Sequence, residues 1–250
     1  MAELTKEQQI QEDEYEYPYH WCKKPGNSSS RLYFGYLSLA AAMSRKISSL
    51  KDSDRKLKII DVGCGDARFL KELQNTEKFD LHGVDYSEKA ISFAKLLLPD
   101  VTFFVADLGS ESDFPNDTYD IVFMIETLEH IVPDNIPAML TEIKRILKPG
   151  GEFIVTVPSD ALPPGPKHYQ HFSAKKLEDT LKDHFEVIEI VGQDKMGFHP
   201  LKLVYFFLDN KYWTIKPLAQ KYNLNVWHKF FNKCANNEGR RVISLAIKKD

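Results

Sequence analysis

The segment FMIETLEHIVP places two carboxylates, Glu126 and Glu129, next to an imidazole, His130. Side chains of these types can bind a divalent cation through oxygen and nitrogen, or exchange a proton with a substrate. They can equally well brace the turn that follows a strand. Which of these roles they take depends on the elements that position them.

A second group of histidines follows in the segment PSDALPPGPKHYQHFSAKKL. Its four prolines and one glycine indicate a stiff connection that presents His168 and His171 to a substrate. An imidazole with its ordinary pKa of about 6.5 suits general base catalysis at neutral pH. We therefore predict His130, His168 and His171 as catalytic residues. The alternative for His171 is that it braces the loop before a helix cap at Ser173.

Strand and helix patterns alternate along the chain. Short apolar, β-branched runs predict strands at LKIIDVG, FDLHGVD, VTFFVAD, YDIVFMI, EFIVTVP, FEVIEIVG and RRVISLAIKK. Helical spacing of apolar residues predicts helices at RLYFGYLSLAAAMSRKISSL, DARFLKELQ, SEKAISFAKLLL, NIPAMLTEIKRIL and SAKKLEDTLKDH. This order predicts an α/β fold in which helices cover both faces of a parallel sheet through right-handed crossovers.

Ligands of such sheets bind at the carboxyl ends of the strands. The turn DVGCGDAR follows the first strand, and its glycines allow the backbone to lie against a ligand. Asp85 ends the next strand, about 20 residues on, where a carboxylate can accept both hydroxyls of a ribose. Arg68 occupies the position of the third glycine of a dinucleotide-binding motif. The pattern therefore favours a cofactor with one ribose and no pyrophosphate.

Composition limits the class of protein. The 250 residues, 43% of them hydrophobic, are enough for one sizeable core. Cys22, Cys64 and Cys234 are odd in number and widely spaced, which indicates neither a disulfide framework nor a zinc cluster. The longest apolar runs fall short of the roughly 20 residues that span a bilayer, and the acidic beginning of the sequence lacks a signal-peptide pattern. We expect a cytoplasmic protein without a membrane span.

Charge is distributed unevenly. From residue 195 onward eleven Lys and Arg stand against three Asp and Glu, a net +8, whereas the whole chain has a net charge of −3. Aromatic residues are interleaved with these lysines. Such a segment can serve nucleic acid, an anionic lipid or a nucleotide-linked sugar, or its aromatics can simply pack a lid. The stretch HPLKLVYFFLDNKYW is apolar enough to touch a membrane surface and too short to cross one.

Six motifs in a fixed order resemble the class I S-adenosylmethionine-dependent methyltransferases, in particular the broad group that includes the ubiquinone-pathway O-methyltransferases. They are DVGCGDARFLKEL, LHGVDYSEKAISFAK, VTFFVADL, YDIVFMIETLEHI, EIKRILKPGGEFIVTVP and HFSAKKLEDTL, within residues 57–193. The resemblance implies a Rossmann-like, seven-stranded, mostly parallel sheet whose last, antiparallel strand is RRVISLAIKK. It implies S-adenosyl-L-methionine as the cofactor.

The resemblance also implies which residues bind this cofactor. They are Asp61, Gly63, Cys64, Gly65, Asp85, Tyr86, Asp107, Leu108 and Glu126. Within this set Asp85 would bind the ribose and Asp107 the adenine amino group. The alternatives are that Asp61 braces the loop, that Asp107 is an ordinary residue at a strand end, and that Cys64 is an inert small residue. The family's usual third glycine is Ala67 here, a small substitution that should leave the turn feasible.

The predicted organisation is an N-terminal flap or arm at 1–30 and a methyltransferase domain at 31–250, with 195–237 as an inserted cap on the acceptor side. Insertions at this place commonly shape the acceptor pocket in the family that the chain resembles. The aromatic stretch YEYPYHWCKKPG of the flap either covers the cofactor or acceptor, bringing His20 to the site, or clamps the arm to the body.

The leading functional hypothesis is O-methylation of a small-molecule, saccharide or lipid-linked acceptor, with no metal ligands assigned and no nucleic acid partner. An alternative takes Glu126, Glu129, His130 and a histidine of KHYQH as metal ligands. That pattern is similar to the one in metal-dependent small-RNA terminal 2′-O-methyltransferases. A third hypothesis is a non-catalytic subunit that keeps the cofactor site. Peripheral contact with a membrane stays open.

Overall fold

The computed structural model describes residues 5–21, 35, 38–49, 55–74, 77–109, 113–210, 212–213 and 215–249. Parts of the predicted flap, residues at both ends of the predicted helix RLYFGYLSLAAAMSRKISSL, residues 110–112, two residues of the predicted cap and Cys22 lie outside these ranges.

The strands of the described chain form one mostly parallel sheet. They are β1 (Leu57–Val62), β2 (Phe79–Asp85), β3 (Thr102–Val105), β4 (Tyr119–Ile125), β5 (Leu147–Pro158), β6 (Phe185–Lys195), β7 (Lys233–Cys234) and β8 (Gly239–Lys248). Their spatial order is β3-β2-β1-β4-β5-β8-β6-β7. Strands β1 to β5 pair in parallel, and β8 runs antiparallel between β5 and β6. The predicted α/β class and the antiparallel last strand are confirmed.

The predicted count of seven strands is wrong by one within the described residues. The additional strand, β7, has two residues, and they pair antiparallel with Gly192 and Gln193 at the edge of the sheet. A strand this short has no alternating pattern that a sequence can reveal.

The helices are α1 (Lys6–Glu14), α2 (Arg45–Ser49), α3 (Leu70–Leu73), α4 (Glu88–Leu97), α5 (Ile136–Ile146), α6 (Ala174–Leu181), α7 (Pro200–Leu208) and α8 (Lys216–Tyr222). Residues 38–43 are also helical, Leu128–His130 and Pro133–Asn135 are short 3₁₀ turns, and Asn223–Asn232 is a π-helix. The hydroxyls of Ser87 and Ser173 cap α4 and α6 by accepting backbone N–H bonds. Helix α3 is shorter than predicted because Ala67, with φ +61°, keeps the preceding turn out of the helical region.

Two hydrophobic cores lie on opposite faces of the sheet. Successive strand residues alternate between them: Ile59 and Phe123 join one core, and Ile60 and Met124 join the other. Helix α4 packs into the first core and α5 into the second. Helices therefore cover both faces, as parallel strands buried on both sides require.

The cap, residues 195–237, has its own small core. Trp227 is 1% exposed and packs with Tyr205, Tyr222 and Phe231, apart from both cores of the sheet. Its indole N–H also donates to a carboxylate oxygen of Asp194 at 3.2 Å. Within the part of the chain that the structure describes, no helix has both the length and the apolarity needed to cross a membrane.

Candidate active site

A cavity of about 290 Å³ lies at the carboxyl edge of the sheet. The residues that follow β1, β2, β3 and β4 all contribute to its wall, and so do residues of the N-terminal segment. This is the edge at which ligands of parallel α/β sheets bind. Most of the predicted site residues line it: Asp61, Gly63, Cys64, Gly65, Asp85, Tyr86, Asp107, Glu126, His130 and His168.

The glycine turn after β1 lies against this cavity with a left-handed backbone. Gly63 has φ +74° and Gly65 has φ +53°, backbone angles that residues with a side chain rarely adopt. A Cβ at Gly63 would lie 2.3 Å from the side chain of Thr127, and one at Gly65 would lie 2.4 Å from the hydroxyl of Tyr15. Glycine is therefore required at both positions. Ala67 keeps the turn despite its left-handed φ, which costs about 1–2 kcal/mol for a residue with a side chain.

Asp85 connects the end of β2 to the glycine turn. One of its carboxylate oxygens accepts the N–H of Gly65 at 2.8 Å, and the other accepts the N–H of Ser87 at 2.9 Å. Burial raises the pKa of Asp85 to about 6, against the effect of these two hydrogen bonds. An ionised carboxylate has lone pairs for about four hydrogen bonds, so two donors from a ligand, such as ribose hydroxyls, can still be accommodated.

Asp61 presents a buried acceptor oxygen to the cavity. Its side chain is 2% exposed, and among the described residues its Oδ1 has no hydrogen-bond partner. Burial, reinforced by the nearby Asp85, raises the pKa of Asp61. A buried polar atom without a partner is costly, and a donor such as an ammonium group would satisfy it. The acidic pair and the glycine turn thus fit a cofactor with an amino acid part and a ribose.

Of the predicted cofactor residues, Leu108 lies outside the cavity wall and Glu126 lies in it with its carboxylate bonded within the protein. Leu108 is 2% exposed and packs in the core beside α5 instead of in the cavity wall, because its side chain is needed to cover that face of the sheet. Glu126 lines the cavity, but Oε1 accepts the hydroxyl of Thr156 at 2.9 Å and Oε2 accepts Nε–H of Arg241 at 2.9 Å. Its carboxylate is therefore held toward β5 and β8.

Asp107, Cys64 and Tyr86 agree with the predicted location. Asp107 is exposed at the cavity, and its Oδ1 accepts the N–H of Gly109 at 2.8 Å. Burial raises the pKa of Cys64, so the group is a thiol at neutral pH. The hydroxyl of Tyr86 donates to the backbone carbonyl of Gln8 at 3.4 Å, which links the cavity wall to the N-terminal segment.

The N-terminal segment forms one wall of the cavity and is also clamped to the body. Tyr15, Tyr19 and His20 line the cavity. Nδ1 of His20 lies 2.9 Å from a carboxylate oxygen of Asp66, and the indole N–H of Trp21 donates to the backbone carbonyl of Asp66 at 2.9 Å. The sequence left open whether the aromatic stretch covers the site or clamps the arm, and His20 both lines the cavity and is bonded to Asp66.

Sequence reasoning missed helix α1, which contributes Gln8 and Gln11 to the cavity. A local signal was present. Thr5 and Gln8 form a capping box, in which each side chain accepts the backbone N–H of the other, and this spacing is a known signature of a helix start. Arg241 was also missed, and no local signal could have found it, because it lies 115 residues from Glu126 in the chain.

A second polar group occupies the other end of the same cavity. Nδ1 of His130 lies 2.9 Å from the carbonyl of Lys167, and Nδ1 of His171 lies 2.8 Å from the carbonyl of Leu162. A carbonyl oxygen only accepts, so both Nδ1 atoms carry the proton. In a neutral His171, Nε2 then accepts Nδ1–H of His168 at 2.8 Å. Nε2 of His130 and Nε2 of His168 are left with lone pairs.

Both of these imidazoles are neutral at physiological pH. Burial, assisted by the neighbouring His168 and Lys167, lowers the pKa of His130 to about 3. Burial, assisted by His171 and Lys167, lowers the pKa of His168 to about 4. They are therefore weaker bases than the ordinary imidazole that the sequence led us to expect. His171 lies behind His168 and orients it, outside the cavity wall.

Glu129 lies beside these two imidazoles. We define the acceptor cluster as Glu129, His130 and His168. Glu129 is 1% exposed, and its Oε2 has no hydrogen-bond partner among the described residues. Burial raises the pKa of Glu129, and the nearby charge of Glu126 raises it further. One ligand atom from each member lies within 4.8 Å of the others. Three acceptors that face one another require a proton, a metal ion or a substrate donor between them.

Comparison with known proteins gives consistent matches. Residues 59–151 match a family model described as a methyltransferase domain. Phosphoethanolamine N-methyltransferase 3 of Arabidopsis thaliana is 34% identical over 105 residues, 40% of this chain and 20% of that protein. Demethylmenaquinone methyltransferase of Symbiobacterium thermophilum is 35% identical over 103 residues, 38% of this chain and 40% of that protein. The matched segments thus span between one fifth and two fifths of these curated relatives.

Among solved structures, the N-methyltransferase NodS from Bradyrhizobium japonicum, crystallised with S-adenosyl-L-homocysteine, shares the fold. The two chains superpose with a TM-score of 0.62 over 98% of this chain and 100% of that one, at 13% identity.

The sheet order and the polar groups at its carboxyl edge define an α/β protein that binds a nucleoside cofactor. The family model and the relatives then specify which one. Residues 59–151 match a methyltransferase domain, and together with these relatives and the shared fold they support the class I S-adenosylmethionine-dependent methyltransferase family, with S-adenosyl-L-methionine as the cofactor. The family and the cofactor predicted from the motifs are thereby confirmed.

Proposed function

We propose that the protein transfers a methyl group from S-adenosyl-L-methionine to a hydroxyl oxygen of a small-molecule, saccharide or lipid-linked acceptor. The observation that carries this proposal is the pair of lone-pair nitrogens, Nε2 of His130 and Nε2 of His168, in the same cavity as the cofactor residues. Two neutral acceptors suit a hydroxyl donor. The named relatives methylate different acceptors, so their names do not choose the acceptor of this chain.

The cofactor would be held by residues at the ends of β1 and β2 and by residues after β1, β2 and β3. We assign Asp61, Gly63, Cys64 and Gly65 to the methionine part. The remaining assignments are Asp85 and Tyr86 to the ribose, and Asp107, with the backbone of Leu108, to the adenine. When bound, the cofactor supplies a methyl group already activated by its sulfonium. The protein's task is therefore mainly alignment, which in favourable cases contributes on the order of 7–11 kcal/mol.

At the acceptor end, His130 and His168 would accept the hydroxyl hydrogen of the substrate and orient its oxygen. Methylation converts that hydroxyl into an ether and releases its proton, which passes to solvent through an imidazole. Because burial lowers the pKa of both imidazoles, we expect orientation of the oxygen to contribute more than proton abstraction. His171 is then a positioning residue, since it acts through its hydrogen bond to His168.

A second candidate is a metal-assisted transfer, and the unpartnered Oε2 of Glu129 favours it. One carboxylate oxygen and two neutral imidazole nitrogens make a plausible donor set for a divalent cation such as Mn²⁺. The set differs from the one considered in the sequence, because both carboxylate oxygens of Glu126 are already bonded to Thr156 and Arg241. The cation would then bind and activate acceptor hydroxyls, the ribose of an RNA end among them.

The main experiment incubates the protein with methyl-labelled cofactor and fractionated cell extract, and separately measures S-adenosyl-L-homocysteine binding by calorimetry. We expect label on an oxygen of one acceptor fraction. The His130→Ala variant should keep cofactor affinity and lose at least about tenfold of the labelling rate. His184→Ala, at an imidazole between α6 and β6, should change neither. Label on nitrogen would refute O-methylation, and failure to bind the homocysteine product would refute the whole proposal.

Metal analysis separates the two candidates. Protein purified without chelator is compared with a Glu129→Ala variant, and labelling is repeated after chelation and after readdition of Mn²⁺ or Mg²⁺. Equal trace metal in both proteins removes the metal-assisted candidate. If the homocysteine product binds but every extract fraction stays unlabelled, the third hypothesis, a non-catalytic cofactor-binding subunit, replaces both.

A further inference from the structure

The cap exposes large apolar side chains on an unusual scale. Of the twelve large hydrophobic residues that are exposed in the described part of the chain, ten lie between 198 and 230, and the other two are Leu96 and Val105. Single exposed apolar residues are normal on soluble proteins, whereas a contiguous group marks an interaction surface. The concentration in the cap therefore calls for a partner.

Helix α7 shows how the group is built. Tyr205 faces inward and is 4% exposed, and its hydroxyl donates to Asp209 at 2.6 Å. Leu203, Phe206 and Phe207 lie on the outward side at 49%, 63% and 63% exposure. A helix that faces water normally carries polar residues there. This outward side is instead apolar, so it is suited to a non-aqueous surface.

Aromatic residues after α7 extend the same surface. The indole N–H of Trp213 donates to the backbone carbonyl of Phe207 at 2.9 Å, which brings Trp213 beside the end of the helix. The rings of Tyr212 and Trp213 lie 6.3 Å apart, and those of Phe206 and Phe207 lie 5.9 Å apart. We define the aromatic face as Leu203, Phe206, Phe207, Tyr212 and Trp213. Tyr212 and Trp213 each combine an apolar ring with a polar tip, as residues at a membrane interface do.

The sequence of the cap carries a positive net charge. The cap contains seven lysines and a single acidic residue, Asp209. That carboxylate is 8% exposed and accepts the hydroxyl of Tyr205, so it contributes little negative potential at the surface. A lysine-rich segment with exposed aromatic side chains complements a surface with anionic headgroups above hydrocarbon, where each lysine near the surface contributes about 1 kcal/mol.

Two other partners fit less well. Bases of a single-stranded nucleic acid stack on flat ring faces, but the cap also exposes the aliphatic side chains Leu203, Val204, Ile215 and Leu218, which suit hydrocarbon better. A second copy of the chain would place two lysine-rich caps against each other, with like charges in close approach. A membrane surface satisfies the apolar and the cationic parts together.

We propose that the cap docks on a membrane surface rich in anionic lipids, with the aromatic face inserted at the boundary between headgroups and acyl chains. Helix α7 has nine residues, too few to span a bilayer, so it lies in the plane of the interface. The inference goes beyond the proposed function and does not depend on it, because docking can be measured without any acceptor.

The test uses the full chain and sedimentation with lipid vesicles. We expect binding to vesicles of phosphatidylcholine mixed with phosphatidylglycerol, weaker binding to phosphatidylcholine alone, and weakening as salt rises. A Phe206→Ser, Phe207→Ser variant should lose at least about tenfold in vesicle affinity, because two inserted rings are removed. Tryptophan fluorescence should shift to shorter wavelength on binding, and the shift should be reduced in Trp213→Ala.

Leu96→Ser is the matched control, since Leu96 is 77% exposed on α4 and outside the cap. It should bind vesicles like the unmodified protein, and all variants should retain affinity for S-adenosyl-L-homocysteine, which reports an intact body. Equal binding to neutral and anionic vesicles would overturn the proposal. So would vesicle binding that the double variant leaves unchanged, a dimer that the double variant abolishes, or binding to an oligonucleotide in place of vesicles.

Discussion

In the sheet of this protein Ile59 and Ile60 are both fully buried on opposite faces, whereas in the cap Tyr205 is buried and its neighbours Phe206 and Phe207 are mostly exposed. Folding buries the apolar side chains of these strands on both faces of the sheet. The cap has more apolar side chains than its small core around Trp227 buries. Apolar residues that the fold does not bury are available for contact with something else.

Polar residues show the reverse distribution. At the carboxyl edge of the sheet Asp61, Asp85 and Glu129 are almost completely buried, and within the described residues one oxygen of Asp61 and one of Glu129 lack a partner. The cap contains one acidic residue, Asp209, and its carboxylate accepts the hydroxyl of Tyr205. Both departures from the usual distribution of residues cost stability and therefore indicate function: a polar ligand at the sheet edge and an apolar surface at the cap.

The largest effect is expected for Trp227→Ala, which tests whether the cap is a separate cooperative unit. Removing this buried indole should cost about 3–5 kcal/mol of the free energy of unfolding of the cap. Hydrogen exchange measured by mass spectrometry should then speed up between 198 and 232, while β1 and β4 stay protected and cofactor affinity stays within about twofold. Phe153→Ala, in the core of the sheet, is the matched control and should weaken the whole body. Loss of protection in β1 with Trp227→Ala would mean that cap and body fold as one.

The next largest effect is expected at the carboxyl edge of the sheet, where the acidic residues of the cofactor site lie. Asp85→Ala should weaken S-adenosyl-L-homocysteine binding by about 100-fold, because two hydrogen bonds to a charged group contribute roughly 3 kcal/mol in total. Isothermal calorimetry measures this directly. The Phe206→Ser, Phe207→Ser variant of the cap should bind the same ligand normally. An unchanged affinity in Asp85→Ala would remove this carboxylate from the cofactor site.

A smaller effect is expected from pH. Burial raises the pKa of Asp85 to about 6, so the carboxylate that accepts ligand hydroxyls is mostly ionised at pH 7 and mostly protonated at pH 5. Because the ionised form is the better acceptor, affinity for S-adenosyl-L-homocysteine should fall about tenfold between pH 7 and pH 5. Calorimetry on Asp85→Asn, which does not titrate, should show a flat profile over this range. A step that persists in Asp85→Asn belongs to another group.

The smallest effect concerns the strained turn. Ala67→Gly relieves a φ of +61°, worth about 1–2 kcal/mol, and loses the packing of one methyl, worth about 0.8 kcal/mol. Chemical denaturation should therefore show a gain of up to about 1 kcal/mol in the free energy of unfolding. Ala94→Gly removes an equally buried methyl from the regular helix α4 and should cost at least about 1 kcal/mol. A loss of similar size at both positions would show that the strain at Ala67 is negligible.

Much of the sheet and its covering helices was predictable. β2 and β4 begin and end where their apolar runs predict, and Ser173 caps α6 as expected, because burial on both faces and local capping leave direct traces in sequence. The position of Asp85 at the end of β2 followed from the same pattern. The pairing of Glu126 with Arg241 did not, since it joins strands that meet only when the sheet is assembled.

The order of strands and helices, the glycine turn and the family were determined by the sequence, since each rests on the periodicity and conformational freedom of neighbouring residues. The tertiary structure decided the rest. It paired Glu126 with Thr156 and Arg241, placed His171 behind His168, lowered the pKa of His130 by burial and left the aromatic face exposed. Burial and long-range contact depend on which elements meet, and no local pattern records that.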